Sequence, residues 1–352
     1  MNLYDKLTKM GRNKWLRPLA SFILGGVVRL PFPVLLRIAG RRLVTAFAAA
    51  PAIMLTGSNM KDALKDADLL YQAMRFTVDY MHLDTLCLMA DLSLEAEACG
   101  CPVVYDDASV PLVQSHLVKS IEDIEKLRVP DPYCDGRMPV FLQTMRLMKR
   151  HHTGLKIACV TGPFTLALHI GGTDLYIETV KDPEKVKRIL DYCTDVGIQY
   201  ARALVKEGAD MILIAEPAGS QLSPNAFELF SLPYTRQMIK AIRRNCVLHV
   251  CGRAGHLIKL MCRSGASAIS VDDVDMTAVL AEVPADLVVA GNLSPLKLLS
   301  ASPSEIDRDT TALLETVKGK REFIIAPGCD LSPQTSLENI LSFVGAVKPL
   351  NG

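Results

Sequence analysis

The chain has 352 residues, 49% of them hydrophobic and 22% charged, which is ample material for a large compact core and excludes a disordered chain. Its 39 Lys and Arg against 38 Asp and Glu leave a formal net charge of +1, so no nucleic-acid footprint is carried in the balance. Ten scattered cysteines and a start without a cleavable signal read as reduced thiols of a cytoplasmic protein, free to ligate a metal rather than to form disulfides.

The first 49 residues read as an N-terminal helical extension. Basic residues (Arg12, Lys14, Arg17, Arg29, Arg37, Arg41, Arg42) alternate there with apolar patches. That is the composition of a flap over one end of the fold, or of a contact with a partner protein or a membrane surface. The most hydrophobic stretch, 19–34, is broken by Arg29, Pro31 and Pro33. It therefore falls short of the roughly 18 uninterrupted apolar residues that a transmembrane segment needs.

Beyond it, short runs rich in Val, Ile and Leu alternate with helical patterns, the signature of parallel βαβ units. Strands are predicted over 50–56, 85–90, 156–161, 210–215, 246–250, 268–272, 287–291 and 323–326. Eight strands, each followed by a helix, predict an α/β fold of one domain, a single (β/α)8 TIM barrel over 50–352. Helices are predicted over 61–80, 183–207, 224–244 and 335–347. An insert, 92–139, holds a Pro-Asp-Pro turn at 130–132 and a segment, 101–105, that predicts a small hairpin. Thr56-Gly57-Ser58-Asn59 lacks the glycine spacing that lets backbone approach a pyrophosphate, which argues against an open nucleotide-binding sheet.

Such a barrel carries its chemistry where the strands end. The residues there are polar: Asp91, Thr161, Glu216, His249 with Cys251, Asp272, Asn292 and Cys329. In Leu248-His249-Val250-Cys251-Gly252 the imidazole and the thiol stand on alternate positions, so both point the same way. Cys329, 78 residues further on, supplies a third soft ligand. Two thiolates and an imidazole select Zn2+ over hard cations, and three protein ligands leave a catalytic fourth position. The same three residues also fit a buried core, because a lone His-x-Cys is a weak signal.

Cys99-Gly100-Cys101 has no nearby His and reads as structural, His151-His152 reads as solvated, and His256 lies outside the site. Asp91 and Glu216 close strands and are predicted to face the site, while Asp272 and Asp273 are candidates to orient His249 or to offer a fourth ligand. Asp91, Glu216 and Asp272 are thus the candidate catalytic carboxylates, and Thr161 and Asn292 the candidate cofactor contacts. Spacing does not rank these roles.

The chain resembles the uroporphyrinogen decarboxylase superfamily and, within it, the zinc-dependent methylcobamide:coenzyme M methyltransferases. The likeness runs from about Thr56 and rests on Ala90-Asp91-Leu92-Ser93-Leu94-Glu95, Thr161-Gly162-Pro163-Phe164-Thr165, Glu207-Gly208-Ala209-Asp210, the segment around His249, Gly291-Asn292-Leu293-Ser294-Pro295 and Ala326-Pro327-Gly328-Cys329. It implies Zn2+ on His249, Cys251 and Cys329. It also implies methyl transfer between a corrinoid (methylcobamide), carried on a transiently bound corrinoid protein, and a zinc-activated thiol such as coenzyme M. Asp91 or Glu216 would then orient the acceptor or the corrinoid.

Relatives with this triad also pass a methyl group from a methylated substrate to the corrinoid, or use tetrahydrofolate. The superfamily's other activity is cofactor-independent decarboxylation of uroporphyrinogen, whose arginine motif and aspartate are similar to Arg37-Ile38-Ala39-Gly40-Arg41 and Asp91. Decarboxylation has no use for three converging soft ligands. An inert barrel that binds a corrinoid protein or a tetrapyrrole has no use for an open ligand position.

Overall fold

The structure is a computed structural model that describes residues 2–348. Its strands are β1 (Thr85–Cys87), β2 (Val103–Val104), β3 (Leu112–Val113), β4 (Leu155–Thr161), β5 (Met211–Ala215), β6 (Asn245–Val250), β7 (Ala268–Val271), β8 (Val288–Leu293) and β9 (Phe323–Pro327). β2 and β3 form the antiparallel hairpin expected in the insert. The other seven are parallel and lie side by side in chain order, β1-β4-β5-β6-β7-β8-β9. Stacking in chain order with helices between lets strand twist curl the sheet steadily in one direction.

The chain opens with three helices: α1 (Leu3–Arg12), capped by the Asn2 side chain on Asp5 N, α2 (Arg17–Val27), begun by Pro18, and α3 (Phe32–Ala39), ended by Gly40 at φ 69°. They cover the N-terminal ends of the strands. Tyr4 donates its hydroxyl to Asp84 O and accepts from Leu155 N, while the Asn245 amide donates to Leu30 O at 2.9 Å.

The predicted first strand, 50–56, is instead a helix, α4 (Ala49–Leu55). Residues 49–53 are all buried, so this helix is apolar on every side and shows no helical period. The segment 43–45 takes the vacant edge. Ile325 N donates to Leu43 O and Thr45 N to Ile325 O, each at 3.0 Å, while Asp84 N donates to Val44 O at 2.9 Å. The bridge from Val44 to Ile325 is isolated rather than part of a strand, and so the sheet counts seven strands against the eight predicted.

Among the helices, 183–207 stands as predicted. The predicted helix 61–80 divides into Met60–Ala63 and Ala67–Asp79, because the Asp66 carboxylate caps a new start on Asp68 N and Leu69 N. Helix 224–244 divides at Ser231, ahead of Pro233. The expectation of a solvated His151-His152 holds for His151 alone. His152 is half-buried, its Nε2 is shielded with no partner, and burial pulls its pKa down to about 3.

Strand alternation splits the core in two. Leu155, Ile157, Met211, Leu213, Val247 and Val288 turn inward and meet Tyr4, Leu7, Leu24, Phe32 and Leu35 of the N-terminal helices. Their neighbours Ala158, Val160, Ile212, Ile214, Leu248 and Ile269 turn outward beneath the surrounding helices. The inner wall is thus closed at the end where the strands begin and free at the end where they finish.

Candidate metal centre

His249 follows Val247 on the inward parity of β6, and Cys251 stands on the same parity just past the strand. Cys329 lies two residues beyond the end of β9. One ligand atom from each of the three falls within 4.8 Å of the others. A tetrahedral zinc site with bonds of about 2.0–2.3 Å sets its donors roughly 3.5 Å apart, so small side-chain movements complete it. His249 is buried and both thiols are half-buried.

The three side chains shift one another's protonation. The Cys251 thiol is shifted down by its hydrogen bond with Cys329, and Cys329 is raised by that same bond and by burial. Burial alone would lower the His249 pKa, but the Cys329 sulfur beside it outweighs that and the net shift is upward. A soft dication displaces such protons.

The surroundings fix this geometry. His249 Nδ1 lies 3.1 Å from Ser270 Oγ, its register partner across β6 and β7. Ser270, not Asp272 or Asp273, therefore sets the ring. Asp272 Oδ2 accepts from Gly252 N at 2.9 Å, directly after Cys251, and its side chain packs against Gly328, directly before Cys329. Asn292 donates both amide hydrogens, to Asp272 O and Val274 O at 2.9 Å each. Asp272 and Asn292 are thus a brace between the two cysteine-bearing loops. Asp273 is exposed and pairs with Arg253.

The remaining predicted residues sit apart from the triad. Asp91 is buried against Arg137, with Oδ2 2.6 Å from the guanidinium and Oδ1 accepting from Ser93 N and Oγ. Its neighbours Ala90 and Leu92 line the cavity in its place. Glu216 accepts from Phe164 N at 3.0 Å and from Thr165 N and Oγ1 at 2.6 Å each, tying down the start of helix Pro163–Gly171. Strand parity from Met211, Leu213 and Ala215 already sends Glu216 outward. Thr161 donates its amide and hydroxyl to buried Glu95 at 2.7 and 2.8 Å.

Sequence reasoning missed Ser270, Arg137, Glu95 and Asp330. Only Ser270 left a signal, the inward parity it shares with Ala268. Asp330, beside Cys329, is exposed and borders the cavity.

The triad opens on a cavity of about 130 Å3 whose wall includes Ala90, Leu92, Ala215, Ala290 and Ala326. Those alanines face inward where bulkier side chains fill the layers below, and the space exists because they are small. Ala90, Leu92 and Asp330 also border a second, larger space of about 520 Å3, walled by Val110, Leu112, Leu296 and Leu331.

A family profile described as uroporphyrinogen decarboxylase (URO-D) matches residues 21–350. The chain belongs to that family. Among its relatives is the methylcobamide:CoM methyltransferase MtbA of Methanosarcina acetivorans, 30% identical over 269 residues that cover 73% of this chain and 77% of that protein. A uroporphyrinogen decarboxylase of Geotalea uraniireducens is 28% identical over 288 residues, covering 78% and 82%. A solved methyltransferase from Methanosarcina mazei superposes with a TM-score of 0.81 at 25% identity, over 87% of this chain and 93% of that one. The uroporphyrinogen decarboxylase family thus supplies relatives of two activities.

Proposed function

We propose that the chain is a zinc-dependent methyltransferase that moves a methyl group between a corrinoid, carried on a separate protein, and a thiol bound at His249, Cys251 and Cys329. The observation that supports this reading is the meeting of an imidazole and two thiols at the wall of a small apolar cavity. Zn2+ held by these three residues with its fourth position free would let an incoming thiol lose its proton near neutral pH and become nucleophilic.

The protein's own part is positioning. Ser270 fixes the imidazole and Asp272 spaces the two cysteine loops. The alanine-lined cavity receives the thiol end of an acceptor such as coenzyme M and keeps water from it. Neither its wall nor that of the outer vestibule carries Arg or Lys among the described residues, so neither offers a cation to a charged tail. Val110, Leu112 and Leu296 give that vestibule an exposed apolar rim, suited to the edge of a corrinoid. The direction of transfer, and acceptors such as tetrahydrofolate, follow from which partner is supplied.

The decarboxylase reading lacks this support. Uroporphyrinogen carries several carboxylates that need cations. Arg37 and Arg41, which that reading needs in the site, bond to Glu322 and to Asp5 and Asp84, residues at the strand-start end. Asp91 is occupied by Arg137. We further propose that the curled sheet acts as a (β/α)8 barrel, with 43–45 in the first strand position. Those residues, assigned to the extension 1–49 by sequence, then belong with the barrel 50–352.

Purified protein is expected to hold about one zinc per chain, to lose it on Cys329→Ser, and to methylate thiols from methylcobalamin. A metal-free protein that releases carbon dioxide from uroporphyrinogen would overturn the reading.

A further inference from the structure

We propose that the N-terminal helices dock the protein on the surface of an anionic lipid bilayer, through an apolar helix face ringed with unpaired Lys and Arg. The buried positions along α2 are Ala20 and Leu24, continued by Val28, a seam one residue wide at four-residue spacing. Leu19, Phe22 and Ile23 look the other way, with Trp15 and Leu16 in the preceding turn and Leu30 in the following one. Positions 15, 19, 22, 23 and 30 form a second apolar stripe at helical spacing, turned toward solvent. Trp15 is 88% exposed and Phe22 82%, more than a flap needs to cover the barrel floor. Nothing stands within 4 Å of a Cβ built on Gly25 or Gly26, so the face is open along its length.

Charge decides which partner suits it. From Lys6 to Lys61 the chain carries ten Lys and Arg and no carboxylate. Four of these are engaged: Arg37 and Arg41 in ion pairs, Arg17 and Arg42 on backbone carbonyls. Lys6, Lys9, Arg12, Lys14 and Arg29 are exposed and form no ion pair among the described residues. Exposed Trp and Phe flanked by free cations fit the interfacial zone of an anionic bilayer, where aromatic rings sit at headgroup level and Lys and Arg reach the phosphates. No described helix is long and apolar enough to cross a membrane, so the contact is one of lying on the surface. The stripe is on the side where the strands begin and the triad where they end, so docking leaves the mouth facing water, within reach of a soluble partner.

Trp15 is the only tryptophan of the chain and reports on its own face. Full-length protein is mixed with vesicles of phosphatidylcholine alone, or with about one quarter phosphatidylglycerol, and followed by co-sedimentation and Trp15 emission. The expected result is partition onto the anionic vesicles only, reversed by salt, with a blue shift of Trp15 emission. A Phe22→Ser, Ile23→Ser variant with an unchanged melting temperature is expected to partition about tenfold less. If that variant misfolds, the wild-type emission decides alone. Equal binding to neutral vesicles, or no binding with unchanged emission, overturns the proposal. So does a dimer in buffer whose Trp15 emission is already blue-shifted, which would assign the face to a second copy of the chain.

Discussion

Asp84 is almost fully buried, yet it carries a bidentate Arg41 at 2.7 Å on each oxygen, Lys348 at 2.6 Å and the Val44 amide at 2.8 Å. Burial pushes its carboxyl up, and the Arg41 and Lys348 charges more than cancel that, so the folded pKa lies below the ordinary 3.8. The folded state then binds this proton less readily than the unfolded chain. Its stabilisation is complete above about pH 4 and lost as pH falls through the lowered value. Asp84→Asn leaves two cations short of a partner and is expected to cost about 3 kcal/mol, read by denaturant unfolding at pH 7, with a flatter loss of stability below pH 4.

Glu95 has the opposite sign. Burial holds its pKa up at about 7 against the two Thr161 hydrogen bonds, so the folded state keeps a proton that the unfolded chain releases near 4.5. Its contribution is full below about pH 4.5 and is lost as pH rises through about 7. Glu95→Gln keeps both contacts by letting the amide donate to Thr161 Oγ1. The variant is expected to gain about 2 kcal/mol on the parent between pH 5 and pH 8, measured as the difference in urea midpoints. At this scale the triad was legible because alternation and ligand softness both act through residue type. Asp91 and Glu216 were misplaced because closing a strand does not fix the direction of a side chain. Parity does so for Glu216. For Asp91 it does not, since the chain leaves β1 at Cys87 and alternation stops.

Between elements, the proposed metal centre depends on two loops with little sequence signal. Gly328 packs so tightly on Asp272 that a Cβ would stand 2.8 Å from the Asp272 Cα. Gly328→Ala must move backbone, and with it Cys329. It is expected to weaken zinc binding by at least about tenfold while all three ligands remain, as read by competition with a chelator. The element errors have physical causes. Residues 50–56 looked like a strand because the helix Ala49–Leu55 is apolar at every position and has no polar face to reveal its period. Helix 61–80 looked continuous because Asp66 reads as one more polar position until its carboxylate is seen on the next two amides. The helix at 183–207 was legible because one face is solvated over its whole length.

Across the molecule, α1 to α3 close the end of the inner wall away from the triad. Tyr4, Leu7, Leu24 and Phe32 cover Leu155, Met211 and Val288, which would otherwise face water. Deleting residues 1–39 is expected to yield insoluble chain, or soluble chain that binds a hydrophobic dye and melts at least about 10 °C lower. A truncated form that keeps the parent's melting temperature would show that the floor closes by itself. The order of strands was legible at this scale, since each apolar run is separated by a helix. The closing edge was not, because 43–45 is three residues long and enters the sheet through one bridge.

Arg41 and Lys348 lie 307 positions apart and share one carboxylate, with Asp5 on the same guanidinium. The first helix, the segment before β1 and the residue after the last described helix are thereby tied in a single electrostatic knot. An acidic segment fused next to Asn2 or Lys348 is expected to compete for its cations. A long neutral spacer is the safer engineering choice.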